Sequence, residues 1–308
     1  MDFDFSNTPL LGIYTQLKNH LNTQERVSFK VVNPDNFSST YNGTIVKVAK
    51  GEALYRGYKT WVDLAHTLGC KMLTPVVIDD DFILVKLQKL QVESFHSVDA
   101  SKEEKYGVDS IFAHIHKNEE FAFLHAYTQA LHNVNLPTRK RILNLGINSG
   151  DEFELIKKVS ENFSTYELVG IDYCHSAIQH ARQKFQNDKN ITFYAHDINK
   201  LSSLELGRFD LLISIGTLQS TTLSFQKVLM DMVQNHLYKE GSIILGFPNC
   251  RWIDGEMIYG AKMRNYNFSE MSNLYKDVNF AKKYLQQKKF RVTITGKDYI
   301  FITATSIR

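Results

Sequence analysis

Arg141-Ile142-Leu143-Asn144-Leu145-Gly146-Ile147-Asn148-Ser149-Gly150 is an apolar run that breaks into a glycine-containing turn. Residues 141–145 read as a buried strand, and Asp151–Glu161 behind the turn reads as a helix. Glycines at such a junction let the chain turn with positive φ and let backbone approach a ligand closely.

The same pattern repeats on the C-terminal side. Strands are expected at Glu167–Ile171, Ile191–Ala195, Phe209–Ile215 and Ser242–Phe247, with helices at Ser176–Phe185 and Leu223–Leu237. Another helix, Glu119–His132, precedes the turn and is stopped by Asn133–Pro137. Strands alternating with helices imply a parallel sheet with right-handed crossovers. The end of the chain departs from this: Arg291–Thr295 and Tyr299–Thr303 are joined by Gly296-Lys297-Asp298, a tight hairpin. The last strand should therefore run antiparallel.

Before residue 110 the texture is strand-rich, with Arg26–Val32, Gly43–Ala49 and Phe82–Leu87. Asn42-Gly43 has the composition of a two-residue hairpin turn leading into the second of these. Thr60–Leu68 has helical spacing, with Trp61, Leu64, Ala65 and Leu68 on one face. Pro75 blocks a continuation, and the polar His96–Ser110 reads as a linker. The expected fold is α/β: a mostly parallel seven-stranded Rossmann-like sheet with an antiparallel last strand, plus a smaller N-terminal α+β domain. The expected boundaries are 1–110 for an accessory or substrate-recognition domain and 111–308 for the ligand-binding domain.

Composition narrows the function classes. With 43% apolar residues the chain can bury a core, and a net charge of +3 demands no nucleic-acid partner. Three widely spaced cysteines, Cys70, Cys174 and Cys250, read as reduced thiols of a cytoplasmic protein. The N-terminus carries acids where a secretion signal would carry bases, and no apolar run reaches membrane-spanning length. A cytoplasmic protein with no membrane partner is expected.

The candidate site gathers at the carboxyl edge of the parallel strands, where open α/β sheets bind ligands. Asp172 closes the second strand, where a carboxylate accepts bonds from the ribose hydroxyls of a nucleoside. At the end of the third strand, Asp197 can accept from an adenine amino group while the Ile198 amide donates to a ring nitrogen. The glycine turn, Asp172, Asp197, the fourth strand Phe209–Ile215 with Gly216-Thr217-Leu218-Gln219 after it, and the final antiparallel hairpin form an ordered set. In that set the chain, over roughly residues 118–308, resembles the class I S-adenosylmethionine-dependent methyltransferases.

The resemblance implies S-adenosylmethionine as cofactor and S-adenosylhomocysteine as product. It implies that Gly146 and Gly150 face the methionine part, that Tyr173 stacks beside the adenine, and that Ser214 to Leu218 border the methyl-transfer site. Two positions depart from the family pattern. Asn144 stands where members usually have Asp or Glu, and it carries no charge to meet a cationic amino group. Asn148 stands where glycine is usual, and Asn tolerates the left-handed conformation best among the alternatives.

The segment from Phe247 to Glu256 reads as a loop able to orient an acceptor, with Asn249, Arg251, Trp252 and Tyr259 as candidates and Lys262, Arg264 and Tyr266 continuing it. The Asn/Asp-Pro-Pro-aromatic motif of methyltransferases acting on nucleobase amines is absent after the fourth strand. His114, His116, His125 and His132 lack metal-ligand spacing, so no metal site is expected. The interleaved Tyr55, Arg56, Tyr58, Lys59 and Trp61 read as half-buried aromatics with solvated neighbours. The basic run Lys282, Lys283, Lys288, Lys289 and Arg291 reads as one solvated face of the last helix. The leading expectation is a methyltransferase on a small-molecule acceptor, with no residue singled out as catalytic. The alternatives are an RNA acceptor (tRNA or rRNA) and a non-catalytic protein that kept the fold.

Overall fold

The computed structural model describes residues 3–91, 110–220, 222–260 and 271–307. The chain forms two compact units. One holds the N-terminal elements together with residues 253–256, and the other holds the remainder.

The N-terminal unit contains β1 (Phe3–Asp4), α1 (Leu10–His20), β2 (Arg26–Val32), β3 (Ile45–Val48), β4 (Gly51–Leu54), α2 (Tyr58–Thr67), β5 (Cys70–Val77) and β6 (Phe82–Lys89). Four strands form a sheet in the order β1-β2-β6-β5. Val27, Phe29 and Val31 alternate along β2 and bury one face against Ile13 and Leu17 of α1 and Trp61, Leu64 and Ala65 of α2. That is the two-residue period of a strand meeting the amphipathic stripe of two helices. The unit is thus α+β, as expected.

Several local expectations are corrected. Asn42-Gly43 is a turn, but it joins no pair of strands. The hairpin is β3–β4, turned at Ala49-Lys50 between the paired residues Val48 and Gly51. Pro75 does not end the structure around it. It sits within β5, an edge strand whose register shifts between Leu73 and Val76, and an edge position with an irregular ladder is where a strand tolerates a missing donor. The aromatic-basic stretch belongs to the packing of this unit. Trp61 is in its core, and the buried Arg56 donates to the Thr8 carbonyl at 2.8 Å. The expected linker lies almost wholly outside the described residues.

The second unit contains α3 (Phe121–Asn133), β7 (Arg141–Leu145), α4 (Asp151–Val159), β8 (Glu167–Asp172), α5 (His175–Lys184), β9 (Ile191–Ala195), β10 (Phe209–Ile215), α6 (Phe225–Asp231), β11 (Leu237–Pro248), β12 (Cys250–Ile253) and β13 (Glu256–Tyr259) apart from their shared tip at 253–256, α7 (Ser272–Gln287), β14 (Phe290–Gly296) and β15 (Tyr299–Ser306). Seven strands form one sheet in the order β14-β15-β11-β10-β7-β8-β9. The pairings through β11 are parallel, and β15 is antiparallel to both neighbours. This is the expected seven-stranded arrangement.

Alternation along β7 sends Ile142 to one side of the sheet and Leu143 and Leu145 to the other. Phe123 and Tyr127 of α3, Phe153 and Ile156 of α4, and Ile178 and Ala181 of α5 cover the first side. Leu229 of α6 and Ala281 and Leu285 of α7 cover the second. With both faces covered, the central strands are nearly continuous apolar runs, which is why they were legible from composition alone. The strand order reverses at β7 and β10, whose carboxyl ends therefore open onto a crevice. No helix among the described residues is long and apolar enough to cross a membrane.

Candidate cofactor site

The turn after β7 is held by backbone bonds to the neighbouring strand. The Gly146 and Ile147 amides both donate to the Ile171 carbonyl, at 2.7 and 3.1 Å. Three residues of the turn have positive φ: Gly146 at 81°, Asn148 at 47° and Gly150 at 91°. A Cβ at Gly146 would fall 1.7 Å from Thr217 Oγ1, so glycine here lets the segment after β10 lie over the turn. A Cβ at Gly150 would fall 2.5 Å from the Phe185 ring, so glycine there permits close packing at the start of α4.

Asp172 ties the turn to β8. One carboxylate oxygen accepts the Asn148 amide at 2.9 Å and the other accepts the Cys174 amide at 3.0 Å. Burial raises its pKa, against those amides and the Lys117 charge. The Tyr173 amide adds a weaker contact, and an ionised carboxylate has about four acceptor sites, so these backbone bonds still leave capacity for a ligand hydroxyl. Tyr173 beside it is half exposed, with a ring face accessible to stacking.

The other expected contacts vary in what already engages them. Asp197 caps the following 3-10 turn, accepting the Asn199 amide at 2.9 Å, and Ile198 is buried. Ser214 is buried and donates to the Leu145 carbonyl at 2.9 Å, pinning β10 to β7. Asn144 is fully buried, and neither polar atom of its side chain has a partner among the described residues. An orphaned amide of this kind is costly, and here it stands beside the crevice where the fold binds ligands. With the free lone pairs of Asp172, it makes the residues present compatible with a nucleoside bearing polar groups.

Sequence reasoning missed two charged residues. Lys117, in the turn before α3, and Glu152, in the first turn of α4, are both buried. Burial pushes the Glu152 carboxyl up to about 7 although Lys117 opposes the shift. Burial pulls the Lys117 ammonium down, but the charges of Tyr299, Glu152, Asp151 and Asp172 outweigh it and hold the group above its ordinary value. Both residues line a cavity of about 10 Å³ with Ile115, Ile147, Asn148 and Ser149. Lys117 Nζ also lies 5.9 Å from the centre of the Tyr299 ring. The Tyr127 hydroxyl is buried without a partner among the described residues, and burial followed by the Glu152 charge raises its pKa. The Glu152 position two residues past Gly150 was the only signal available from sequence.

The segment after β11 is not the loop that sequence suggested. Residues 250–259 form the β12–β13 hairpin, turned at Asp254-Gly255, where Asp254 has φ 51° and Gly255 has φ 75°. Two adjacent left-handed residues suit a tight hairpin. Asn249 is fully buried at its base. Its amide donates to the Asp298 carbonyl at 2.7 Å and its side chain to the Lys297 carbonyl at 3.1 Å. Arg251 donates to the Gly260 carbonyl at 2.7 Å. Trp252 is half buried with its ring 6.5 Å from that of Tyr299, and Tyr259 is exposed. Lys262, Arg264 and Tyr266 lie outside the described residues. His125 stacks on Phe121, and no metal-ligating group of three His, Cys, Asp or Glu occurs among the described residues.

A family model described as a methyltransferase domain matches residues 138–296. The chain is 34% identical over 104 residues to a malonyl-[acyl-carrier protein] O-methyltransferase of Bacillus cereus, a stretch that covers 34% of this chain and 36% of that protein. The match thus spans about a third of the relative's length. Among solved structures, the N-methyltransferase NodS of Bradyrhizobium japonicum, crystallised with S-adenosylhomocysteine, aligns at 16% identity with a TM-score of 0.43, covering 61% of this chain and 88% of that one. An O-methyltransferase family protein of Burkholderia thailandensis aligns at 11% identity with a TM-score of 0.44, covering 65% and 63%.

Proposed function

The chain belongs to the methyltransferase-domain family, and on that premise we propose that it is a class I S-adenosylmethionine-dependent methyltransferase acting on a small-molecule acceptor. The observation that carries the reading is the position of Asp172. It closes β8 at the edge of the crevice, is tied to the glycine turn by the Asn148 amide, and keeps acceptor capacity for a ribose.

The cofactor supplies a methyl group on a sulfonium, an already activated leaving group. The protein's work is therefore mostly positioning and exclusion of water. Asp172 accepts from the ribose hydroxyls, Tyr173 stacks beside the adenine, and Asp197 and the Ile198 backbone read its edge. Gly146 and Asn148 carry the turn close to the methionine part. The hairpin residues Arg251, Trp252 and Tyr259 border the acceptor, with Asn249 fixing the hairpin's base. The Bacillus cereus relative is named for transfer to oxygen, which makes hydroxyl and carboxyl compounds the first acceptors to try. Residues 1–110 serve as an accessory or substrate-recognition domain.

Calorimetric titration with S-adenosylmethionine and, separately, S-adenosylhomocysteine tests the reading. Micromolar binding of both is expected. Binding of neither would overturn it. Tight binding with no methyl loss to any acceptor in a cell extract would leave a binding protein without the enzyme.

A further inference from the structure

We infer that Glu152 and Lys117 hold the α-amino acid end of the cofactor, Glu152 taking its ammonium and Lys117 its carboxylate, an assignment that rests on the function proposed above. Glu152, Lys117 and Asp151 line one cavity directly against the glycine turn, and Asp151 is already paired with Lys184 at 3.1 Å, which leaves the first two as the opposite charges to be matched. Both are buried, at 2% and 8% exposure. Burying two opposite charges side by side adds little stability over apolar residues of the same volume, so packing gives weak reason for it. A zwitterion carries the complementary pair of charges on adjacent atoms.

The surroundings point the same way. Asn144, on the sheet face that α3 and α4 cover, holds two unpartnered polar atoms but no charge to balance an ammonium. Glu152 supplies that charge from the next element. Tyr127 has a buried hydroxyl that also lacks a partner among the described residues, and the Glu152 charge adds to the burial that raises its pKa. The cavity, at about 10 Å³, has room for about one water. The amino acid end therefore enters by moving the Lys117 and Glu152 side chains apart. Its ammonium replaces the Lys117 ammonium opposite Glu152, and its carboxylate meets Lys117, so the charge balance of the cavity is kept.

A ligand–variant cycle tests this. Calorimetry compares S-adenosylhomocysteine with its deaminated analogue, in which hydrogen replaces the α-amino group, on wild type and Glu152→Gln. In wild type, removing the amino group should weaken binding at least roughly tenfold, the loss of a bond to a charged group. In Glu152→Gln the two ligands should bind within about twofold of each other. If Glu152→Gln weakens both by the same factor, the residue is structural and the inference fails. Should Glu152→Gln not fold, Lys117→Gln with the decarboxylated analogue runs the same cycle for the other charge, with the same criteria. 5′-Methylthioadenosine, which lacks the whole amino acid end, separates the two readings. If wild type binds neither it nor S-adenosylhomocysteine, the proposed function falls and this assignment with it. If wild type binds both and the cycles are flat, only this assignment falls.

Discussion

Asp172 accepts the backbone amide of Asn148 at 2.9 Å, so one carboxylate both fixes the left-handed residue of the glycine turn and faces the crevice. The ligand contact and the shape of the turn therefore depend on the same side chain. Asp172→Ala should weaken S-adenosylhomocysteine binding by roughly 1.5–3 kcal/mol, the range for a bond to a charged group. Calorimetry on the purified variant reads this directly, and binding equal to the parent's would remove Asp172 from the site.

Gly146→Ala should destabilise the fold. The residue has φ 81°, and its new Cβ would sit 1.7 Å from Thr217 Oγ1. Strain of this kind costs about 1–3 kcal/mol. Urea melts of Gly146→Ala, Thr217→Gly and the double variant should show the steric part recovered in the double. Strict additivity would mean that Thr217 is not the clashing neighbour.

Asn148 has φ 47° and keeps its backbone bond whatever its side chain. Asn148→Gly should therefore match or exceed the parent in stability, and Asn148→Ala should lose about 1 kcal/mol from the left-handed penalty. Equal melting points for the Ala and Gly variants would show the turn adopting another conformation.

Glu152 makes stability depend on pH. Its carboxyl rises to about 7 in the folded protein from an ordinary 4.5, mainly through burial. The folded state thus holds a proton that the unfolded state releases first. The stabilising contribution is complete below about pH 4.5 and lost as pH rises through about 7. Urea melts of wild type and Glu152→Gln between pH 5 and 7 should show wild type losing ground to the variant as pH rises. The slope should not exceed roughly 1.4 kcal/mol per pH unit. Parallel pH profiles would mean that Glu152 titrates normally.

The basic residues Lys283, Lys289 and Arg291 are exposed on α7, the turn after it and β14. If they are only a solvated face, neither tRNA nor rRNA should shift the protein in a low-salt gel. A shift that fades steeply as salt rises would instead mark an RNA acceptor.

Particular elements show where sequence reasoning carried and where it stopped. Phe209–Ile215 is a strand with the expected bounds, because a central strand covered on both faces is largely apolar, whereas Ile191–Ala195 lies at the sheet edge and shows itself through its β-branched and aromatic residues. β5 was missed because Pro75 reads as a breaker, and only its place at the sheet edge makes the proline tolerable. The β12–β13 hairpin was read as a loop because Asn249, Arg251 and Asp254 are polar. Asn249 at its base donates to the distant carbonyls of Lys297 and Asp298, and Arg251 donates to the Gly260 carbonyl across the hairpin.

From local periodicity alone the sequence determined the alternating strands and helices, the glycine turn between β7 and α4, and the carboxylate at the end of β8. Each depends on residues close together in the chain. Only the tertiary structure decided that Lys117 and Glu152 are buried together. An acid in the first turn of a helix ordinarily faces water, where it also suits the helix dipole, and a lysine in a turn ordinarily faces water for its solvation. Here α3 and α4 pack on one sheet face, and that packing, not any property of either residue, removes the water and turns two ordinary surface charges into a cavity lining.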